Sequence, residues 1–164
     1  MKTLLLIRHA KSDWGNASLP DVERPLNERG KKDAPAMARR LLASQPPPAL
    51  IICSAAKRAY QTARLMAAEW DYPKESIRKE EKLYEAGLAD YYGIIREVDD
   101  QYTSLALFGH NPTIGMFANV LTSAQVNHFP TSCIAVFRIY TDRWQSFTES
   151  EKELLLLDYP RRVQ

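Results

Sequence analysis

The sequence predicts an α/β fold, a three-layer α/β/α sandwich around a mostly parallel sheet, and three observations carry that expectation. Short apolar runs at Leu4-Leu5-Leu6-Ile7, Leu50-Ile51-Ile52-Cys53 and Leu105-Ala106-Leu107-Phe108 have the length and continuity of strands buried on both faces. Segments with apolar residues at helical spacing lie between them, and strands alternating with helices argue a parallel sheet covered on both sides. The chain has 164 residues, enough to bury a core as a single domain over 1–164, and shows no internal repeat, linker or low-complexity segment.

The first strand is expected over residues 3 to 8, followed by a long polar loop. A helix should then run from 28 to 44, with Asn27 as its N-cap and Gly30 allowing it to pack close to the first loop. Pro35 lacks the donor for the preceding turn and should kink or restart that helix, and Pro46-Pro47-Pro48 ends it. After a strand at 50 to 53, small or apolar residues at 59, 63, 66, 67 and 70 predict a helix over 55 to 70 with Ser54 as its cap. A charged loop precedes a helix from 91 to 101, a strand from 104 to 108 and a helix from 112 to 121. Gly109 permits a tight bend there, Asn111 can cap, and Pro112 suits the first helical position. Residues 133 to 140 read as a strand, and 153 to 159 should pair beside it across a turn at 141 to 145.

The chemistry gathers where these strands end. Arg8 and His9 follow the first apolar run, Arg58 stands in the first turns of the helix after the second, and His110 follows the third. In open α/β sheets ligands bind beyond the carboxyl ends of the strands, so all four are expected at one rim. A helix N-terminus with free N–H groups and an arginine beside it is an anion site. Each residue alone has a plainer reading, a strand-end histidine or a solvated surface arginine. Four of them at successive strand ends do not.

These pieces resemble the histidine phosphatase, or phosphoglycerate mutase-like, superfamily, and most of all its small SixA-like phosphohistidine phosphatases. The matching stretches are Arg8-His9-Ala10-Lys11-Ser12-Asp13-Trp14, Asp21 with Arg24-Pro25-Leu26-Asn27-Glu28-Arg29-Gly30, Ser54 to Ala63 with Arg58, and Gly109-His110-Asn111-Pro112. The resemblance implies a phosphoglycerate mutase-like fold and a nucleophilic His9 that forms a phosphohistidine intermediate. It also implies that Arg8, Arg58 and His110 hold the phosphoryl group, and that Glu85 in Leu83-Tyr84-Glu85-Ala86-Gly87 protonates an ester leaving group. Physical reasoning agrees with parts of this. Two arginines balance the charge of about −1.5 to −2 on a phosphoryl group, and flanking arginines should keep His9 neutral by like-charge repulsion. A hydrogen bond at the other ring nitrogen would fix its tautomer. Glu85 would need a carboxyl pKa raised by burial. Asn16 and Arg24 are further candidates for substrate contact, as are Lys11 and Ser12.

Only 24 residues separate Glu85 from His110, and one expected helix with its strand fills nearly all of them. Larger relatives insert a substrate-covering cap there, so this site should be shallow and open. That suits a phosphorylated residue on another protein, such as a histidine phosphotransfer-type partner. The open alternatives are a general small-molecule phosphomonoesterase with the same mechanism and a noncatalytic phosphoprotein-binding module. Charge is nearly balanced, 22 Lys and Arg against 20 Asp and Glu, so no broad basic surface points to nucleic acid. No cofactor or metal is implied, because no His or carboxylate cluster has ligand spacing. Cys53 and Cys133 read as buried reduced thiols. The apolar stretch from Thr3 to Ile7 is shorter than a signal-peptide core and no run approaches membrane-spanning length, so a cytoplasmic location is expected. His128 has no partner motif and is expected to be structural or exposed.

Overall fold

Alternation within each apolar run decides the architecture. In the computed structural model, which describes residues 1–161, strand β1 (Lys2–Arg8) sends Leu4 and Leu6 into one core and Leu5 and Ile7 into another. Strand β4 (Ser104–Gly109) divides the same way, Leu105 and Leu107 against Ala106 and Phe108. Strands apolar on both faces need helices on both sides. The first core is closed by α3 (Leu88–Arg96) and α4 (Thr113–Val120), through Tyr91, Ile94, Ile95, Ile114 and Phe117. The second is closed by α1 (Glu28–Leu41) and α2 (Lys57–Glu69), through Ala34, Met37, Leu41, Ala63 and Met66. The expected three-layer sandwich is therefore observed.

The remaining strands are β2 (Leu50–Ser54), β3 (Arg78–Glu80), β5 (Ile134–Ile139) and β6 (Lys152–Asp158), and the sheet order is β3-β2-β4-β1-β5-β6. The first four in that order are mutually parallel, while β5 runs antiparallel to β1 and β6 antiparallel to β5. β4 inserts between β1 and β2. Register sets Arg8 beside Gly109 and Cys53 beside Phe108, so the carboxyl ends of these three strands finish side by side. A crevice forms at such a reversal of strand order.

Several local expectations need correction. Ser54 is not a helix cap but the last residue of β2, paired in register with Glu80, and α2 begins at Lys57. The 91 to 101 helix is shifted toward the N-terminus. It starts after Gly87, whose N–H donates to the Asp90 carboxylate at 2.9 Å, and stops before Asp99, whose side chain accepts from Gln101 N–H and competes with helical bonding. Helix α1 ends at Leu41 rather than 44, and it passes Pro35 without restarting because Ala34, Met37, Ala38 and Leu41 stay buried along one face. Pro112 stands just before α4, after a cis Asn111–Pro112 bond, while Asn111 Oδ1 accepts from Gly115 N–H at 3.2 Å. The connection at 141 to 145 is no simple turn. It extends to Glu151 and places Trp144 and Phe147 fully in the core, where a buried phenylalanine side chain contributes roughly 1.5–3 kcal/mol. Strand β3 was not anticipated, since three charged residues on a sheet edge carry no hydrophobic signal.

Two glycines are required by close approach. A Cβ at Gly109 would stand 2.1 Å from the Tyr91 hydroxyl, and the glycine does not adopt positive φ, so crowding rather than a bend explains it. A Cβ at Gly30 would stand 2.2 Å from the Lys11 carbonyl oxygen, so α1 rests directly on the loop after β1. Gly30→Ala should therefore destabilise the protein by about 1–3 kcal/mol in denaturant titration, because backbone rather than a flexible side chain must give way.

Candidate active site

Backbone pairing brings the two histidines together. His9 N–H donates to Gly109 O at 3.2 Å, one step beyond the Arg8–Gly109 register pair, and the His9 and His110 ring centroids stand 5.0 Å apart. Helix α2 is tied to the same edge by Thr62, whose hydroxyl accepts from Ala10 N–H at 2.9 Å and donates to Arg58 O at 2.7 Å. On the far side Ser132 N–H lies 3.1 Å from both the Arg8 and His9 carbonyls.

His9 is 6 % exposed, and its Nδ1 lies 2.7 Å from the Ala10 carbonyl. A carbonyl can only accept, so Nδ1 carries the ring proton and Nε2 keeps its lone pair. Burial is the main force that lowers its pKa to about 3. Repulsion from His110, Arg58 and Arg8 adds to this, and the Ala10 carbonyl opposes it. The like-charge repulsion expected from the flanking arginines is present, and desolvation exceeds it. His110 is drawn down to about 4, again by burial first and then by Arg58. Its Nε2 lies 2.8 Å from Ser54 Oγ. That hydroxyl also accepts from Ala56 N–H at 3.2 Å, and His110 Nδ1 is buried without a protein partner.

The arginines share one counter-charge. Asp21, in the short 3₁₀ turn Asp21–Glu23, accepts from Arg58 at 3.0 Å, from Arg24 at 2.9 Å and from the Tyr84 hydroxyl at 2.7 Å. Its backbone carbonyl accepts a further bond from Arg58 at 2.8 Å. The Tyr84 hydrogen bond and then the two arginines hold the Asp21 carboxyl far below the usual carboxylate range, against opposing desolvation. Arg8 donates to Phe129 O at 3.3 Å. The Nε atoms of Arg8, Arg24 and Arg58 are buried without protein partners.

Two adjoining cavities meet at Arg58, His110 and Asn111. The smaller, about 240 Å³, holds Arg8, His9, Lys11, Ser12 and Arg24. The larger, about 460 Å³, is bordered by Asp21, Tyr84, Glu85 and Pro112. Arg8, His9, Arg58, His110, Arg24 and Glu85 thus all line this compound site. Glu85 is exposed and sits at positive φ, so the burial that an acid role required of it is not there. Asn16 lies outside both cavities, and its side-chain oxygen accepts from Ser18 N–H and Ser18 Oγ. Sequence reasoning missed the clamp made by Asp21 and Tyr84, and the link from Ser54 to His110. Asp21 belonged to a recognised stretch, but nothing in its spacing told that it would bridge three side chains. His128 is exposed, with its ring edge against Tyr159. Cys53 and Cys133 are buried and free of disulfides. Among the described residues no cluster of three His, Cys, Asp or Glu could hold a metal ion, and no helix is long and apolar enough to cross a membrane. A neutral imidazole facing a pocket of guanidinium groups is suited to nucleophilic attack on a phosphoryl centre, where charge spreads over the equatorial oxygens.

Comparison with known proteins agrees with this geometry. Residues 4–113 match the family described as the histidine phosphatase superfamily (branch 1). The protein Rv1276c of Mycobacterium tuberculosis is 37 % identical over 143 residues, covering 81 % of this chain and 87 % of its own. The structure of SixA from Nakamurella multipartitia superposes with a TM-score of 0.86 at 24 % identity, covering 98 % of this chain and 97 % of that one. The protein histidine phosphatase SixA complexed with tungstate gives 0.77 at 21 % identity, with 96 % and 97 % covered.

Two outcomes follow from the site chemistry. In the unfolded chain both histidines titrate near 6.5, about the ordinary value. Between there and their lowered folded values the unfolded state binds more protons, so stability rises with pH. Tm should fall as pH drops from about 6.5 toward 4, and His110→Asn should flatten that dependence in thermal scans. Ser54→Ala should release His110 to mix tautomers, visible in its imidazole ¹⁵N shifts, and should lower kcat/KM about tenfold.

Proposed function

The chain belongs to the histidine phosphatase superfamily and is a histidine-phosphatase-type phosphatase, and from that premise we propose that it hydrolyses phosphohistidine displayed on a protein. In this reading Arg8, Arg58 and His110 hold the phosphoryl oxygens, and His9 Nε2 attacks phosphorus. The phosphorus–nitrogen bond to the substrate imidazole breaks as that imidazole leaves with a proton already on its ring. Water then attacks phospho-His9, releasing inorganic phosphate and restoring the neutral imidazole. Catalysis on this scheme is positioning and electrostatic stabilisation rather than covalent work by many groups. Lys11 and Arg24 extend the positive field around the entering group.

The observation that carries the choice of substrate is the open leaving-group side. Helix α3, strand β4 and their connection occupy the stretch between Glu85 and His110, so no inserted segment covers the 460 Å³ cavity. The one carboxylate beside it outside the arginine clamp, Glu85, is exposed. An imidazole can leave protonated without an enzymatic acid, whereas an alkoxide needs one. SixA, which shares this fold, has been solved complexed with tungstate, a phosphate-like oxyanion. A second reading, a general phosphomonoesterase, is favoured by the place of Glu85 on the wall of the larger cavity.

Quench-flow with a ³²P-labelled phosphohistidine protein and an aryl phosphate separates these readings. Wild type should acquire acid-labile label that His9→Ala lacks, and should turn over the phosphohistidine protein faster than the ester. Glu85→Gln should spare phosphohistidine hydrolysis, whereas on the phosphomonoesterase reading it should depress alkyl phosphate hydrolysis by about 10²-fold or more. Faster ester turnover by wild type would establish the phosphomonoesterase instead.

A further inference from the structure

Trp14 is 73 % exposed, yet it is held in place. The Arg24 guanidinium lies 3.5 Å from the centre of its ring, and that guanidinium is itself bonded to Ser12 Oγ and to Asp21 Oδ1. One face of the indole is therefore occupied by a cation that two neighbours fix, and the rest of the ring is open to solvent. Trp14 and His9 line the same 240 Å³ cavity. A phosphoryl group seated at His9 occupies this smaller cavity, and a carrier too large for the joined cavities lies against its rim, where Trp14 stands. Leu19, 37 % exposed, adds apolar surface to the same loop.

We propose that Trp14 is a docking residue for the protein that carries the phosphohistidine, packing its open surface on an apolar side chain beside the phosphorylated imidazole. The proposal rests on the phosphohistidine reading above. A rigid tryptophan suits this task because its large contact area is already oriented, so little freedom is lost on binding. The opposing use of the same geometry is purely internal, with the indole serving only to keep Arg24 in place. The two uses differ in what they do to a substrate that has no protein attached.

Steady-state kinetics on a phosphorylated histidine phosphotransfer domain and on phosphoimidazole, which share the reacting phosphorus–nitrogen bond, make the comparison. Trp14→Ala should lower kcat/KM on the protein about 30-fold, chiefly through KM, and change the ratio between the two substrates by nearly as much. Trp14→Phe, which keeps an aromatic face for Arg24 and for the partner, should recover most of the loss. Equal losses on both substrates, or none on the protein, overturn the docking role and leave the phosphohistidine reading standing. Wild type that hydrolyses an aryl phosphate but neither phosphoramidate overturns that reading and the docking role together.

Discussion

The parallel pairing of β1 with β4 is the constraint on which the catalytic edge depends. It sets Arg8 against Gly109, so the next residue on each strand is a histidine and the two rings meet at 5.0 Å. With β2 on the other side of β4, Ser54 reaches His110 and α2 starts where Arg58 can face the same space. A slip of one residue in that pairing would turn every side chain of β1 to the opposite core and carry His9 away from its partners. The apolar alternation that fills both cores also holds the register, so packing and chemistry rest on the same contacts.

Burial at this edge serves the proposed reaction directly. A histidine left in water would be protonated for much of the range below neutrality, and a protonated ring cannot attack phosphorus. His9 is kept neutral mainly because the fold removes it from solvent, and its tautomer is set by the carbonyl of the next residue. His110 is held by its other nitrogen, with Nε2 against the Ser54 hydroxyl and Nδ1 buried without a protein partner. Two residues of one type, side by side, thus differ in role because different neighbours bind different nitrogens.

Much of this was legible in the sequence, and the exceptions have physical reasons. Apolar runs and helical periods placed the strands and the layers, because burial on two faces writes a strong pattern. Arg8, His9, Arg58 and His110 were readable because they follow strand ends, where a parallel sheet exposes its chemistry. The Asp21 clamp was not readable, since it joins a short 3₁₀ turn to residues 37 and 63 positions away, and no local pattern encodes such a bridge. Strand β3 was invisible for lack of apolar residues. The loop holding Trp144 and Phe147 was mistaken for a turn because two aromatic residues have no period. For the neutral His9 the arginines were foreseen and the larger effect of burial was not. Charge neighbours can be guessed from motifs, but solvent exclusion belongs to the assembled fold.

The Asp21 clamp also gives the pocket a threshold. Arg24 and Arg58 are ordered on folding rather than on ligand capture, so the rotamer freedom of such side chains, about 2 kcal/mol each, is already surrendered before an anion arrives. Yet both guanidinium groups already face a carboxylate, and a singly charged anion offers them little that Asp21 does not. The carboxylate therefore stands as an internal competitor that any incoming anion must meet at these two guanidinium groups.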